Sequence, residues 1–197
     1  QWLAESQLAK AAAHGNLYRD LALGCAFDGG EIAANASAFA AGVSIGAPPD
    51  PFSAAGQVWN LPPVSPIALA REGMEPMRRV IAANMRHAAA LRIDHVLGFA
   101  RQFWVPQGAE GRDGAYVHFP LEALIAVTAI ESQRQKCLVV GEDLGTVPEG
   151  LRERLSAANI LSYRVLWFER EGRGFIPPEH YPARALACLA SHDLPTF

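Results

Sequence analysis

The feature that most constrains the fold is a hydrophobic period that switches back and forth along the chain. Residues 2–13 read as a helix closed by Gly15, and Leu17 to Leu23 as a strand. Residues 75–90 carry Met77, Val80, Ile81, Met85 and Ala88 at spacings of three and four, with Asn84 the polar exception, as an amphipathic helix requires. A strand follows at Leu91-Arg92-Ile93-Asp94. Pro120 suits the first turn of a helix whose face is Leu121, Leu124, Ile125 and Thr128. The run Cys137-Leu138-Val139-Val140 is short and continuously apolar, as a buried parallel strand is. Thr146 and Glu149 suggest a capping box for a helix carrying Leu151 and Leu155. Tyr163 to Phe168 reads as a further strand, and Leu186 to Ala190 as a last helical turn.

Strands and helices in steady alternation imply a parallel sheet with right-handed crossovers, hence the α/β class. A doubly wound sheet and a (β/α)8 TIM barrel both satisfy that order. The position of the acids favours the barrel. Asp94, Glu142 and Asp193 each fall at or just beyond the C-terminal end of an expected strand, and in a barrel those ends converge on one face. The rhythm is interrupted at residues 42–66, which are rich in Gly and Pro, hold Phe52 and Trp59, and show neither period. This stretch is expected to be a long, ordered active-site loop.

Composition removes several classes of function. Half of the 197 residues are hydrophobic, enough for one sizeable core. The net charge of −3, with Lys and Arg scattered, argues against a nucleic-acid surface. The apolar runs are too short to span a membrane, so no membrane partner is expected. No phosphate-cradling glycine loop and no metal-ligand spacing occur, so neither cofactor nor metal is expected. Cys25, Cys137 and Cys188 sit at no framework spacing and read as isolated thiols of a reduced, cytoplasmic protein.

Three strings carry chemistry. In Arg92-Ile93-Asp94-His95, residues two apart on a strand share a face, so Arg92 lies beside Asp94. A cation there keeps a carboxylate ionised and oriented, as a nucleophile needs; a structural ion pair at a strand end accounts for the pair equally well. Gly141-Glu142-Asp143-Leu144-Gly145 places two acids after an apolar strand. Burial beside a second carboxylate raises the pKa of one and makes it a candidate general acid, the competing account being an acidic helix cap. Ser191-His192-Asp193 is not a hydrolase triad, because three neighbours on one strand cannot align as triad members do. His192 and Asp193 suit paired hydrogen bonds to sugar hydroxyls.

Taken together these strings resemble the amylomaltase and disproportionating-enzyme family, the 4-α-glucanotransferases of glycoside hydrolase family 77. The resemblance runs through Asp20-Leu21-Ala22, Asp28-Gly29-Gly30-Glu31, Gly46-Ala47-Pro48-Pro49-Asp50 and Gly56-Gln57-Val58-Trp59. It continues through Ala90 to His95, Gly114-Ala115-Tyr116-Val117, Gly141 to Gly145 and His192-Asp193-Leu194-Pro195-Thr196. The family implies Asp94 as nucleophile, Glu142 as general acid/base, and Asp193 as the carboxylate that stabilises the transition state. Arg92, His95 and His192 match residues that orient the nucleophile or contact the same sugar. Asp28 and Trp59 match acceptor-cleft or first-subsite contacts. The implied reaction is a retaining transfer between a maltooligosaccharide or α-glucan donor and an acceptor, with no cofactor. An α-amylase-like hydrolase, or a glucan-binding fragment without chemistry, is the competing reading.

Two departures from the family pattern fall on the acceptor side. Ile32-Ala33-Ala34 follows Glu31 where a tryptophan is usual, and Asn60 stands where glycine is common. The family barrel is also longer than this chain, whose ends, Gln1 and Phe197, read as cuts through it. Residues 1–197 are expected to run from about the third barrel strand to the seventh. An open segment of that kind exposes two sheet edges and is expected to be unstable and inactive alone.

Overall fold

Strand segments such as Leu91-Arg92-Ile93 and the apolar Val139-Val140 pair side by side to build the centre of the molecule. The computed structural model describes residues 2–51, 53–191 and Leu194. In chain order its elements begin with α1 (Trp2–Ala12), β1 (Tyr18–Leu21), α2 (Gly30–Ala34), β2 (Val43–Ala47) and β3 (Gln57–Leu61). They continue with α3 (Pro66–Arg71), α4 (Glu75–Met85), β4 (Ala90–Ile93), β5 (Arg101–Pro106), β6 (Ala115–His118) and α5 (Leu121–Gln135). β7 (Leu138–Gly141), α6 (Leu151–Ala157), β8 (Ser162–Val165), the short β9 (Arg170–Glu171) and β10 (Gly174–Phe175), and β11 (Ala185–Cys188) complete the order.

β1, β4 and β7 pair in parallel, with Leu21, Ile93 and Gly141 in one row. Leu161 extends the sheet: its N–H donates to the Val139 carbonyl at 2.9 Å, and its own carbonyl accepts from Gly141 N at 2.8 Å. β8 then pairs in parallel with β11. Five parallel strands thus follow one another across space in the order in which they occur in the chain. Among the described strands no reversal of order, the mark of a doubly wound sheet, occurs.

Alternation along each strand sorts the side chains onto two faces. Leu91, Ile93 and Val139 join Ile81 and Met85 of α4, Leu124 and Ile125 of α5, and Leu151 and Leu155 of α6 in the main core. Val140, Tyr163 and Val165 point the other way and pack with Leu186 and Cys188. The helical layer covers one face; the other carries Asp20, Arg92 and the residues of the site. Burial of each large core side chain stabilises the fold by about 1.5–3 kcal/mol.

Several expectations need correction. Residues 42–66 are not a loop without regular structure. They contain β2 and β3, which form an antiparallel sheet in the order β3-β2-β5-β6. The period is hidden because a β-bulge interrupts it: Ile45 pairs with Leu61 but Gly46 with Val58, leaving Trp59 and Asn60 as the extra residues. β5 and β6 had no counterpart in the sequence reading. α4 stops at Met85 rather than reaching residue 90, since Arg86 is extended (φ −58°, ψ 127°) and His87 is left-handed (φ 64°). The capping box of Thr146 and Glu149 does not form; Gly150 precedes α6 with no side-chain cap. Pro148 disfavours helical geometry at Val147, so the helix begins after the proline. The stretch Leu186 to Ala190 yields a strand, because Ala185–Cys188 has β8 to pair with and pairing overrides alanine's helical preference.

No helix among the described residues is long and apolar enough to cross a membrane, and no cluster of potential metal ligands occurs among them.

Candidate active site

The row Leu21–Ile93–Gly141 sets the level of the residues that follow it. Asp94 N donates to the Leu21 carbonyl at 3.0 Å, and Glu142 N donates to the Ile93 carbonyl at 2.9 Å. Asp94 and Glu142 therefore leave adjacent parallel strands at the same height, and neighbouring strands stand about 4.8 Å apart. Both line one cavity of about 470 Å3, together with Arg92, His95, Trp59 and Tyr163.

Asp94 is held by its neighbour on the strand. Arg92, 6 % exposed, places Nη2 2.8 Å from Asp94 Oδ1 and Nη1 2.8 Å from both carboxylate oxygens of Asp20. Its guanidinium also lies over the Tyr163 ring, 5.3 Å from the centroid. Burial works against the charge on Arg92, but the carboxylates of Asp20 and Asp94 outweigh it and hold the pKa above its usual value. The sequence assigned no role to Tyr163, nor to Asp20 beyond its place in the string Asp20-Leu21-Ala22. The signal available for Asp20 was register, since it sits opposite Arg92 on the neighbouring strand.

Glu142 has a different environment. It is 8 % exposed, and burial pushes its carboxyl pKa up, with the charge of Asp94 acting in the same direction. Two amide bonds and Arg92 oppose that shift. His95 N donates to Oε2 at 2.8 Å and Leu144 N to Oε1 at 3.1 Å. Gly141 lets this corner close, because a Cβ there would sit 2.9 Å from the Val96 side chain. The like charge that helps raise Glu142 comes from Asp94 across the cavity, not from Asp143 beside it as the sequence suggested. Asp143 points away, is 1 % exposed, and its pKa is lowered: burial raises it, but bonds from Ser162, Tyr163 N and Arg152 prevail.

His95 adopts a left-handed backbone (φ 46°), and burial lowers its imidazole pKa against the pull of Asp94. Its ring meets Trp59 edge-on, with centroids 5.6 Å apart. The bulge delivers Trp59 to that position. Asn60, next along, takes φ 57°, a conformation glycine adopts freely and asparagine tolerates, which accounts for asparagine where the family commonly has glycine. Opposite, Gly46 has no room for a side chain, since a Cβ would collide with the Gln57 carbonyl.

Of the remaining candidates, Asp28 lies exposed in the turn before α2 and does not line the cavity. His192 and Asp193 fall outside the described residues, though Ser191 and Leu194 on either side line the same cavity. Phe168, also lining it and 56 % exposed, was not singled out from the sequence either.

Comparison with known proteins decides the family. The glycoside hydrolase family 77 model, described as 4-alpha-glucanotransferase, matches residues 1–197. The chain belongs to that family. A 4-alpha-glucanotransferase of Haemophilus influenzae is 41 % identical over 204 residues, covering all of this chain and 29 % of the relative. One of Mycobacterium tuberculosis is 38 % identical over 207 residues, covering 99 % of this chain and 29 % of its own length. Among solved structures, amylomaltase from Corynebacterium glutamicum superposes with a TM-score of 0.92 at 36 % identity, over 99 % of this chain and 29 % of that one. Amylomaltase from Streptococcus agalactiae in complex with acarbose shares the fold at 20 % identity and a TM-score of 0.84, over 98 % of this chain and 41 % of that one. The chain thus spans less than a third of the length of the curated relatives it matches.

Proposed function

We propose that this family 77 chain carries the catalytic carboxylates of a retaining 4-α-glucanotransferase acting on maltooligosaccharides or α-glucans. One observation supports the reading above others: Asp94 and Glu142 face one cavity from adjacent strands at the same level, one paired with a cation and the other held protonatable by burial. Retaining chemistry needs two carboxyls about 5–5.5 Å apart with those opposite properties. In the first step Asp94 attacks the anomeric carbon, the glycosidic C–O bond breaks, and the proton of Glu142 goes to the leaving oxygen. In the second, Glu142 as carboxylate takes the proton of an incoming 4-hydroxyl, whose oxygen displaces Asp94.

In this reading Asp193 is the third carboxylate, stabilising charge on the sugar, and His192 contacts the same ring; the presence of Ser191 and Leu194 at the cavity favours that placement. His95, half-buried and with its imidazole pKa lowered by burial, serves as a sugar contact, and Trp59 as an acceptor platform. Asp28 enters only as an outer contact on the acceptor side. The five parallel strands β1, β4, β7, β8 and β11 are then the third to seventh strands of a (β/α)8 barrel, and residues 1–197 one part of one catalytic domain. Chain-order adjacency of those strands supports the assignment.

Incubation of the intact protein with maltotriose tests the proposal. Glucose and longer chains should form without a matching rise in reducing ends. A rise in step with product would instead make the enzyme an amylase-like hydrolase. Asp94→Asn and Glu142→Gln should each lower turnover by about 1,000-fold, and wild-type turnover in either would overturn the assignment.

A further inference from the structure

Asp143 stands beside the proposed acid/base yet faces away from the cavity. Its Oδ2 accepts from Ser162 Oγ at 2.6 Å and from Arg152 Nε at 2.7 Å, and its Oδ1 accepts from Tyr163 N at 3.0 Å. Its carbonyl accepts from Arg152 Nη2 at 2.8 Å. One buried carboxylate thus binds the end of β7 to the start of β8 and to the first turn of α6. A structural tie between strands requires less than this. The bidentate grip of Arg152 closes on the residue that follows Glu142, through the Asp143 carboxylate and carbonyl, and bonds to β4 and its turn already secure Glu142 itself, through Glu142 N to Ile93 and Val96 N to the Glu142 carbonyl (3.0 Å). The Glu142 backbone is consequently clamped on both sides, and its carboxyl has little freedom to turn from the cavity.

We infer that Asp143, gripped by Arg152 and Ser162, is a positioning residue that holds the Glu142 carboxyl in proton-transfer geometry. The inference rests on the proposed role of Glu142. Asp143 acts through geometry rather than charge, since the influences on Glu142 come chiefly from burial, the His95 and Leu144 amides, Asp94 and Arg92. Substitution by Asn leaves one acceptor oxygen in place of two, so its NH2 would face either the Arg152 and Ser162 donors or the Tyr163 N–H, and the clamp would open.

The sharpest test compares donors that do and do not need an acid. Departure of a sugar oxygen requires a proton from Glu142, whereas a glycosyl fluoride releases F− unaided when Asp94 attacks C1. Azide as acceptor removes the need for a base in the second step, because N3− displaces Asp94 without losing a proton. In the intact protein, Asp143→Asn should lower kcat on maltotriose by about 10- to 100-fold, part of the roughly 100- to 10,000-fold an acid/base supplies. KM should hardly change. Fluoride release from α-maltosyl fluoride with azide should stay within about threefold of wild type. Arg152→Met, at a side chain 43 % exposed, should show the same selectivity at smaller size and decides the matter if Asp143→Asn does not fold. Equal losses on both donors would mean a purely structural tie and overturn the inference. A wild-type protein that releases fluoride but transfers no glucan would instead remove the reading of Glu142 on which the inference stands.

Discussion

The parallel strands and the antiparallel sheet meet at one cavity but are built on different terms. Each parallel strand is a short local segment of four residues, and two of them carry the site at their C-terminal ends: Arg92 within β4 and Asp94 just after it, Glu142 just after β7. The antiparallel sheet depends on pairs far apart in the chain, such as Ile45 with Trp104, and reaches the cavity through Leu61 and through a bulge that turns Trp59 toward His95. The first region holds Asp94 and Glu142, the proposed reacting carboxylates, to their register. The second supplies a wall beside them. Chemistry and acceptor handling should therefore be separable by mutation.

The largest effect that sharpens this contrast is expected at Arg92. Arg92→Met removes the cation shared by Asp20 and Asp94 and should lower kcat by about 100-fold, the scale of loss when a reacting group is misplaced by an ångström. The pH profile gives the sign: the positive charge of Arg92 lowers the Glu142 pKa, so its loss should move the alkaline limb of kcat/KM to higher pH. An unmoved limb would show that the two carboxyls do not share one electrostatic field. Next in size, Gly46→Ala should cost about 1–3 kcal/mol in urea unfolding, because the new methyl meets backbone rather than a yielding side chain. Turnover of α-maltosyl fluoride per folded molecule should stay near wild type, since the parallel strands are untouched; a proportional loss would join the two regions into one unit. Smallest is Trp59→Ala, expected to lower the ratio of transfer to hydrolysis several-fold while total bond cleavage changes little, as the loss of an acceptor platform rather than of chemistry. An unchanged ratio would remove Trp59 from acceptor handling.

Legibility followed the same division. The strand at residues 91–94, the run at 137–140 and the helical faces at Ile81, Met85, Leu124 and Ile125 could be read directly, and their apolar residues lie in the two core clusters except Leu138, which starts β7 exposed. Arg92 and Asp94 could be paired from strand parity alone, and their 2.8 Å contact agrees. The bulged β3, and β5 and β6 with it, could not be read, because an extra residue breaks the two-residue period and the partners lie tens of residues away. The strand Ala185–Cys188 was read as helix for a related reason: nothing local in Ala-Leu-Ala-Cys names β8 as its neighbour.

What the sequence determined by itself was the alternation of elements and the placing of acids just past strand ends, since period and side-chain direction are properties of the local backbone. Only the tertiary structure decided which neighbour each acid answers to. Glu142 and Asp143 are adjacent and alike in chemistry, yet one is buried against Asp94 and pushed toward the protonated form, while the other is gripped by Arg152, Ser162 and the Tyr163 amide and pushed toward the ionised form. Successive residues at a strand end face opposite sides, and the dielectric and the donors that meet each side come from segments the sequence does not place next to them.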